Sequence, residues 1–435
     1  MKRLIVSCLL LMLAAVGPAR AELTIQVTGY VKGASPIAIV PFGWKGAKAP
    51  PQDLAAIIAA DLHRSGRFQP LADKDLVAKP HQASQVDYGD WRKLDVDNLV
   101  VGQLDRLADG RYQAQFQLLD VATGKQLAGY SITSPAANLR QTAHQISDII
   151  YQTLTGERGA FDTHIAYVTV VRANNGKPTY RLAVADADGH NEQVIYDSPQ
   201  PILSPAWSPD GRRLAYVSFA TGRPAIYIQN IVTQKTEKLA AYPGLNNAPA
   251  FSPDGKRLAL TLSKDGNAEI YVMDLATKAL HRITHSSAID TEAAWMPDGK
   301  SLVFTSDRGG SPQLYQIGVG ADGPRGRAHR LTFDGNYNAR ATVSPDGKKV
   351  AMIHRTNGAF RIGVLDLAQG YLQVLTDSRM DESPSFSPNG SMIIYASQKG
   401  GRGVLQVVSV DGRVHQSLSL RGGGVREPAW SPFKN

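Results

Sequence analysis

Only one cysteine occurs among the 435 residues, Cys8, and it lies inside the longest apolar run of the chain. Downstream of that run there is no thiol, so neither disulfide staples nor a cysteine-held metal can hold the fold. No later apolar stretch approaches the ~20 residues that a membrane-spanning helix needs. The chain also lacks a Gly-x-Ser-x-Gly nucleophile elbow and a His-Glu-x-x-His pair. No phosphate-binding loop or dinucleotide fingerprint occurs in a strand-to-helix setting. Gly309-Gly310-Ser311 lacks the second glycine of an elbow and reads as a turn. His281 and His285 are four apart, but in a strand-and-turn context rather than on the helix that a His-Glu-x-x-His pair requires, so no metal role is expected of them. Asp186-Ala187-Asp188-Gly189 lacks the later bidentate glutamate of a calcium loop and reads as a hairpin turn. Catalysis thus has no candidate machinery, and neither a cofactor nor a metal is expected.

What is present begins with a leader. Lys2 and Arg3 precede the apolar run Leu4 to Val16; Gly17-Pro18 follows, then Ala19-Arg20-Ala21. This is the pattern of a cleaved secretory signal over residues 1–21, with cleavage between Ala21 and Glu22. A lipoprotein signal would place its cysteine after the apolar region, not within it. Formal net charge is +9, and loss of the leader removes Lys2, Arg3 and Arg20. Export and the scatter of Lys and Arg in turns argue for a solvated surface rather than a nucleic-acid site. The expected product is a soluble, exported monomer without membrane insertion.

One theme recurs six times, as AWSPDG, AFSPDG, AWMPDG, TVSPDG, SFSPNG and AWSPFK. Its anchors are Trp207, Phe251, Trp295, Val343, Phe386 and Trp430, at intervals of 44, 44, 48, 43 and 44. A period near 44 fits a four-stranded propeller blade. Within a repeat, RLAYVSF, AIYIQNI and EKLAAY are strand-like and separated by turn residues. The sixth copy stops after its first strand. The strands it lacks are found upstream, at His164–Val171, Tyr180–Asp186 and Glu192–Asp197, which have no first strand of their own. Joining the two ends closes a ring of six blades and leaves no free seam.

Residues 22–158 do not follow the repeat. PQDLAAIIAADLHRSG and Asn138–Thr155 each place apolar residues on one helical face, ending at Gly66 and Gly156. Several strand-like segments accompany them. The fold class is therefore a small α/β domain, 22–158, followed by an all-β six-bladed propeller, 159–435, closed by its C-terminal strand.

A binding mouth is expected where the chain enters each innermost strand. Counting back from the anchors, the third to fifth positions are mostly polar. They include Leu203, Arg340, Glu382 and Glu427, with Asp290, Thr291 and Glu292 ahead of the third anchor. Asp290, Glu292, Asp381, Glu382 and Glu427 are expected to give this mouth local negative charge.

The early IAIVPFGW, the run SPQPILSPAWSPDGRRLAY, and IYVMDLATK, PDGKSLVFTSDRGG and the terminal EPAWSP occur in order along the chain. With these marks the whole chain resembles the TolB family of periplasmic Tol–Pal components. The resemblance implies a non-enzymatic periplasmic adaptor that supports outer-membrane integrity and envelope constriction at cell division. Its implied partners are the lipoprotein Pal at the propeller mouth and TolA, with room for other outer-membrane or peptidoglycan-associated proteins. By position, Ala248, Thr291 and Glu292 would face Pal, and Leu245 stands where the family has a histidine. The segment from Glu22 to about Gly33, with Leu23, Thr24, Ile25 and Val27, resembles the tail that engages TolA. In the family, this tail's disposition is thought to answer to Pal occupancy. A propeller-based hydrolase or ligand-binding module remains the alternative class.

Overall fold

The structure, a computed structural model, describes residues 23–28, 33–172, 176–420 and 423–434. The expected leader and its cleavage site at Ala21 and Glu22 lie outside these residues. The chain forms a small mixed α/β domain and a six-bladed propeller.

Blades one to four are consecutive antiparallel meanders whose innermost strands are Ile202–Trp207, Asn246–Phe251, Asp290–Trp295 and Asn338–Val343. Blade five starts at Glu382–Phe386. Blade six takes its innermost strand, Gly424–Trp430, from the far end of the chain. That strand pairs antiparallel with His164–Arg172, with Val425 opposite Thr169 and Trp430 opposite Ile165. The seam closes as the repeat count requires.

Local chemistry explains the repeated SPDG. In blade one the Ser208 hydroxyl accepts from the Arg213 amide (2.9 Å) and donates to Asp210, which also accepts from the Arg212 amide. Gly211 takes φ 66° and completes the turn. Ser252, Ser344 and Ser387 repeat the arrangement. The large anchors wedge between blades. The Trp207 indole donates to the Ala429 carbonyl (3.0 Å) and Trp295 to that of Ala250 (3.1 Å), each on the neighbouring blade.

In the small domain the sheet order is Phe68–Pro70, Ser35–Ile39, Asn98–Arg106, Tyr112–Asp120, Gln126–Ser134, the first three parallel and the rest antiparallel. Helices Leu54–Arg64 and Leu139–Thr155 cover one face. Asp53 caps the first through the Ala56 amide, and Leu54, Ile57, Ile58 and Leu62 are buried. Gly156, at φ 78°, ends the second.

This domain sits on blades five and six, at the end carrying the SPDG-type turns. Asn389, in such a turn, donates to the Arg158 carbonyl (3.0 Å), and Lys434 pairs with Asp162 (2.6 Å). Gly66 does more than stop a helix: a Cβ there would lie 2.1 Å from Val414 Cγ2 of blade five. The centre of the contact is ionic. His144 bonds Asp61 within its own domain (2.7 Å) and faces Asp188 of blade six at 3.4 Å. Arg140 also pairs with Asp188, and Arg64 with Asp61. Burial alone would lower the His144 pKa, but the two carboxylates outweigh it and raise it to about 9. Asp61, His144 and Asp188 bring their ligand atoms within 4.8 Å of one another. Two guanidiniums already face these carboxylates, so an added cation would meet positive charge. The turn around Asp188 is a hairpin, as expected, and it also docks the domains.

Leu23–Thr28 joins blade five as a fifth, outermost strand, paired antiparallel with His415–Leu420 from Leu23 opposite Leu420 to Thr28 opposite His415. Leu23, Thr24, Ile25 and Val27 all lie on it.

Candidate partner-binding mouth

All six innermost strands break register with their neighbours at the same place, just inside the mouth. At each break one non-glycine residue takes a left-handed backbone. These are Ser204 (φ 51°), Ala248 (46°), Glu292 (57°), Arg340 (54°), Ser383 (57°) and Glu427 (55°). Left-handed geometry costs an L-residue about 1–2 kcal/mol, and bulges re-aim side chains. Sixfold repetition of such strain marks the ring as a candidate functional feature. Hydrogen bonds from the preceding blade help hold it. The Ser204 amide donates to Glu427 Oε2 (3.0 Å), the Glu292 amide to Thr261 Oγ1 (3.1 Å) and the Arg340 amide to Thr305 Oγ1 (3.0 Å).

The ring's charges are largely internal. Arg340 reaches past blade five to Glu427, with Nη1 3.2 Å from Oε1 and Nη2 on Oε2. Burial would raise the Glu427 pKa, but Arg340 outweighs it and holds the carboxyl below its usual range. Glu292 Oε2 accepts from the Thr305 hydroxyl (3.3 Å).

The structure places Leu203, Leu245, Ala248, Thr291, Glu292, Arg340 and Glu382 at the mouth, half-buried. It corrects the expected negative charge. Asp290 is wholly buried and its carboxylate meets Arg308 at 2.6 Å, inside the blade. Its pKa is raised because burial outweighs the bonds from Ser306 and Arg308. Asp381, also wholly buried, accepts from the Thr376 hydroxyl. Glu427 is buried and neutralised by Arg340. Asp290 and Asp381, each five residues before its anchor, turn into the blade, whereas Glu427 is buried by its pairing with Arg340.

The apolar residues of the mouth lie one position further out. The sixth position back from the anchors reads Pro201, Leu245, Ile289, Tyr337, Met380 and Gly424. Ile289 and Met380 are about half exposed (53% and 45%), and Phe333, in the loop leading to Tyr337, is 73% exposed. The mouth is thus an apolar collar around a strained, charge-neutralised throat. Exposed apolar anchors beside buried polar groups suit a protein segment better than a small charged ligand.

A family described as the TolB amino-terminal domain matches residues 23–127, and one described as the TolB beta propeller domain matches residues 151–434. The Tol-Pal system protein TolB of Nitrosococcus oceani is 57% identical over 95% of this chain and 94% of its own length. That of Thioalkalivibrio sulfidiphilus is 55% identical over 100% and 99%. The crystal structure of TolB from Acinetobacter baumannii is 44% identical, with TM-score 0.87, covering 95% of this chain and 100% of that one.

Proposed function

Because the chain belongs to the TolB family of Tol–Pal system proteins, we propose that it is a non-enzymatic periplasmic adaptor with two binding elements. The propeller mouth receives a segment of a Pal-type lipoprotein, and the segment Glu22–Gly33 engages TolA. The observation that carries this reading is the mouth itself, with Leu245, Ile289, Tyr337, Met380 and Phe333 around Thr291 and Glu292. The collar supplies exposed apolar anchors that a docked segment would desolvate, and the left-handed ring presents Ala248 and Glu292 in fixed orientations. Leu245, in place of the family's histidine, extends the collar and exchanges a polar contact for an apolar one.

A short path links the two elements. The strand that holds Leu23–Thr28 in place, His415–Leu420, leads directly into Gly424–Trp430, which carries Glu427 in the throat. A partner that moves the throat therefore acts on the strand that retains the tail. A tail can respond only to the difference in free energy between its docked and released states. This role needs no catalytic motif, and it includes a part in outer-membrane integrity and cell division.

Calorimetry with the soluble domain of a Pal-type lipoprotein tests the mouth. Thr291→Ala and Glu292→Ala should each lose binding without loss of fold, whereas deleting Glu22–Gly33 should lose TolA and keep Pal. Unchanged Pal affinity in both substitutions would move the site away from the mouth.

A further inference from the structure

We propose that the edge strand Gln126–Ser134 of the small domain accepts an added strand. Its occupant is an uncharged, extended segment of a partner protein whose alternate side chains are amides or hydroxyls. This surface is separate from both the mouth and the tail.

The first observation is an edge to which no further strand pairs among the described residues. The sheet ends at this strand on one side, and on the other at Phe68–Pro70, where Pro70 offers no N–H. The sequence QLAGYSITS has no charge and no proline. Its one irregularity, at Leu127, leaves Ala128–Ser134 in regular register. Gly129, Tyr130, Ser131 and Thr133 are exposed. Free edges are ordinarily blunted by Lys, Pro or bulges, because their unpaired backbone groups recruit other strands. Here that protection is absent along most of the strand.

The second observation is the groove beside it, of about 670 Å³. Its floor is a set of amides. Gln103 donates to Gln115 (2.9 Å), Gln115 to Gln113 (3.1 Å) and Gln117 to Gln126 (2.7 Å), while the Ala83 amide donates to Gln117 (2.8 Å). Among the described residues no Asp, Glu, Lys or Arg lines it, on a chain of net charge +9, and His81 is its one imidazole. A Cβ at Gly129 would fall 2.4 Å from Gln126 Nε2, so a larger residue there would displace that amide from the groove floor. A strand added to this edge sends every second side chain over the groove. Backbone pairing then supplies affinity, and the pre-oriented amides select polar, uncharged side chains. A charged side chain would lose solvation there without a carboxylate, ammonium or guanidinium to pair with.

The test uses the chain from Glu22 onward and a capped synthetic peptide of alternating Thr and Gln. Saturable binding is expected with Kd below about 1 mM, with hydrogen-exchange protection confined to Gln126–Ser134. Ser131→Lys should weaken it about tenfold at unchanged Tm. The peptide N-methylated at alternate backbone nitrogens should not bind. Absence of saturation in the millimolar range overturns the proposal. So does protection at His415–Leu420 or the mouth, equal binding of the N-methylated peptide, or protection of the same residues by a neutral oligosaccharide but not by the peptide. None of these outcomes touches Pal binding, so the mouth reading is tested separately.

Discussion

Arg340 and Glu427 form an ion pair that spans blade five from within the channel, and both stand on left-handed bulges of their own strands. Each therefore fixes the other's bulge as well as its charge. Glu427→Ala removes the carboxylate that the guanidinium bonds directly, leaving only the more distant charges of Glu292 and Glu382, and should cost about 3 kcal/mol, read as a fall in Tm. Replacing both residues with Met and Leu should cost less than the single change. Because the Glu427 pKa is depressed in the fold, its contribution is present above the ordinary carboxylate range and is lost as pH falls through the lowered value.

The ring's backbone makes a second prediction at Ala248, φ 46°. Ala248→Val, β-branched in a left-handed geometry, should destabilise by about 1–2 kcal/mol. Ala248→Gly should stay within about 1 kcal/mol of the parent. If valine were tolerated as well as glycine, the strain argument for this ring would fail.

The domain contact should depend on alkaline pH. The His144 pKa is raised from 6.5 to about 9, so its stabilisation is complete below 6.5 and disappears as pH rises through 9. The amount is roughly 3 kcal/mol. The protection factor at the Asp188 turn, which corrects exchange for its base-catalysed intrinsic rate, should fall between neutral pH and pH 10. In His144→Gln the protection should be lower at neutral pH and nearly flat over that range.

At the seam, truncation before Arg426 removes most of the strand that completes blade six. The expected result is loss of the cooperative unfolding transition of the whole propeller, followed by calorimetry. A change confined to the amides of His164–Arg172 would show instead that the blades are stable without closure.

For the collar, Ile289→Ser and Met380→Ser should each weaken Pal binding about tenfold or more, with Tm unchanged, because both side chains are exposed in the free protein. Titration of each variant with the Pal domain separates this from a structural effect.

The repeat was legible because each SPDG turn is local chemistry: a serine, an aspartate and a glycine in adjacent positions close one hairpin. Ring closure was legible because a lone first strand and three strands without one complement each other. Local pattern does not encode what happens between distant segments. Asp290 is as polar on paper as Glu292, yet one meets Arg308 inside a blade and the other meets Thr305 in the throat. Asp188 looked like any hairpin residue until His144 and Arg140 arrived from another domain. The collar was readable in principle, at the sixth position before each anchor, but single apolar residues in loops carry no periodicity to draw notice.

Blade six also governs when the fold can finish. His164 and Ser431, joined by a hydrogen bond from the backbone of one to the side chain of the other, are 267 positions apart. A chain that emerges N-terminus first lays down five blades before the strand that locks the ring exists. Contacts of such separation form late, because loop closure must precede any gain from them. Until then the channel stands open at its side, and the left-handed ring lacks Glu427, the residue that restrains both Ser204 and Arg340. The throat therefore takes its final geometry last, after the rest of the propeller has been made.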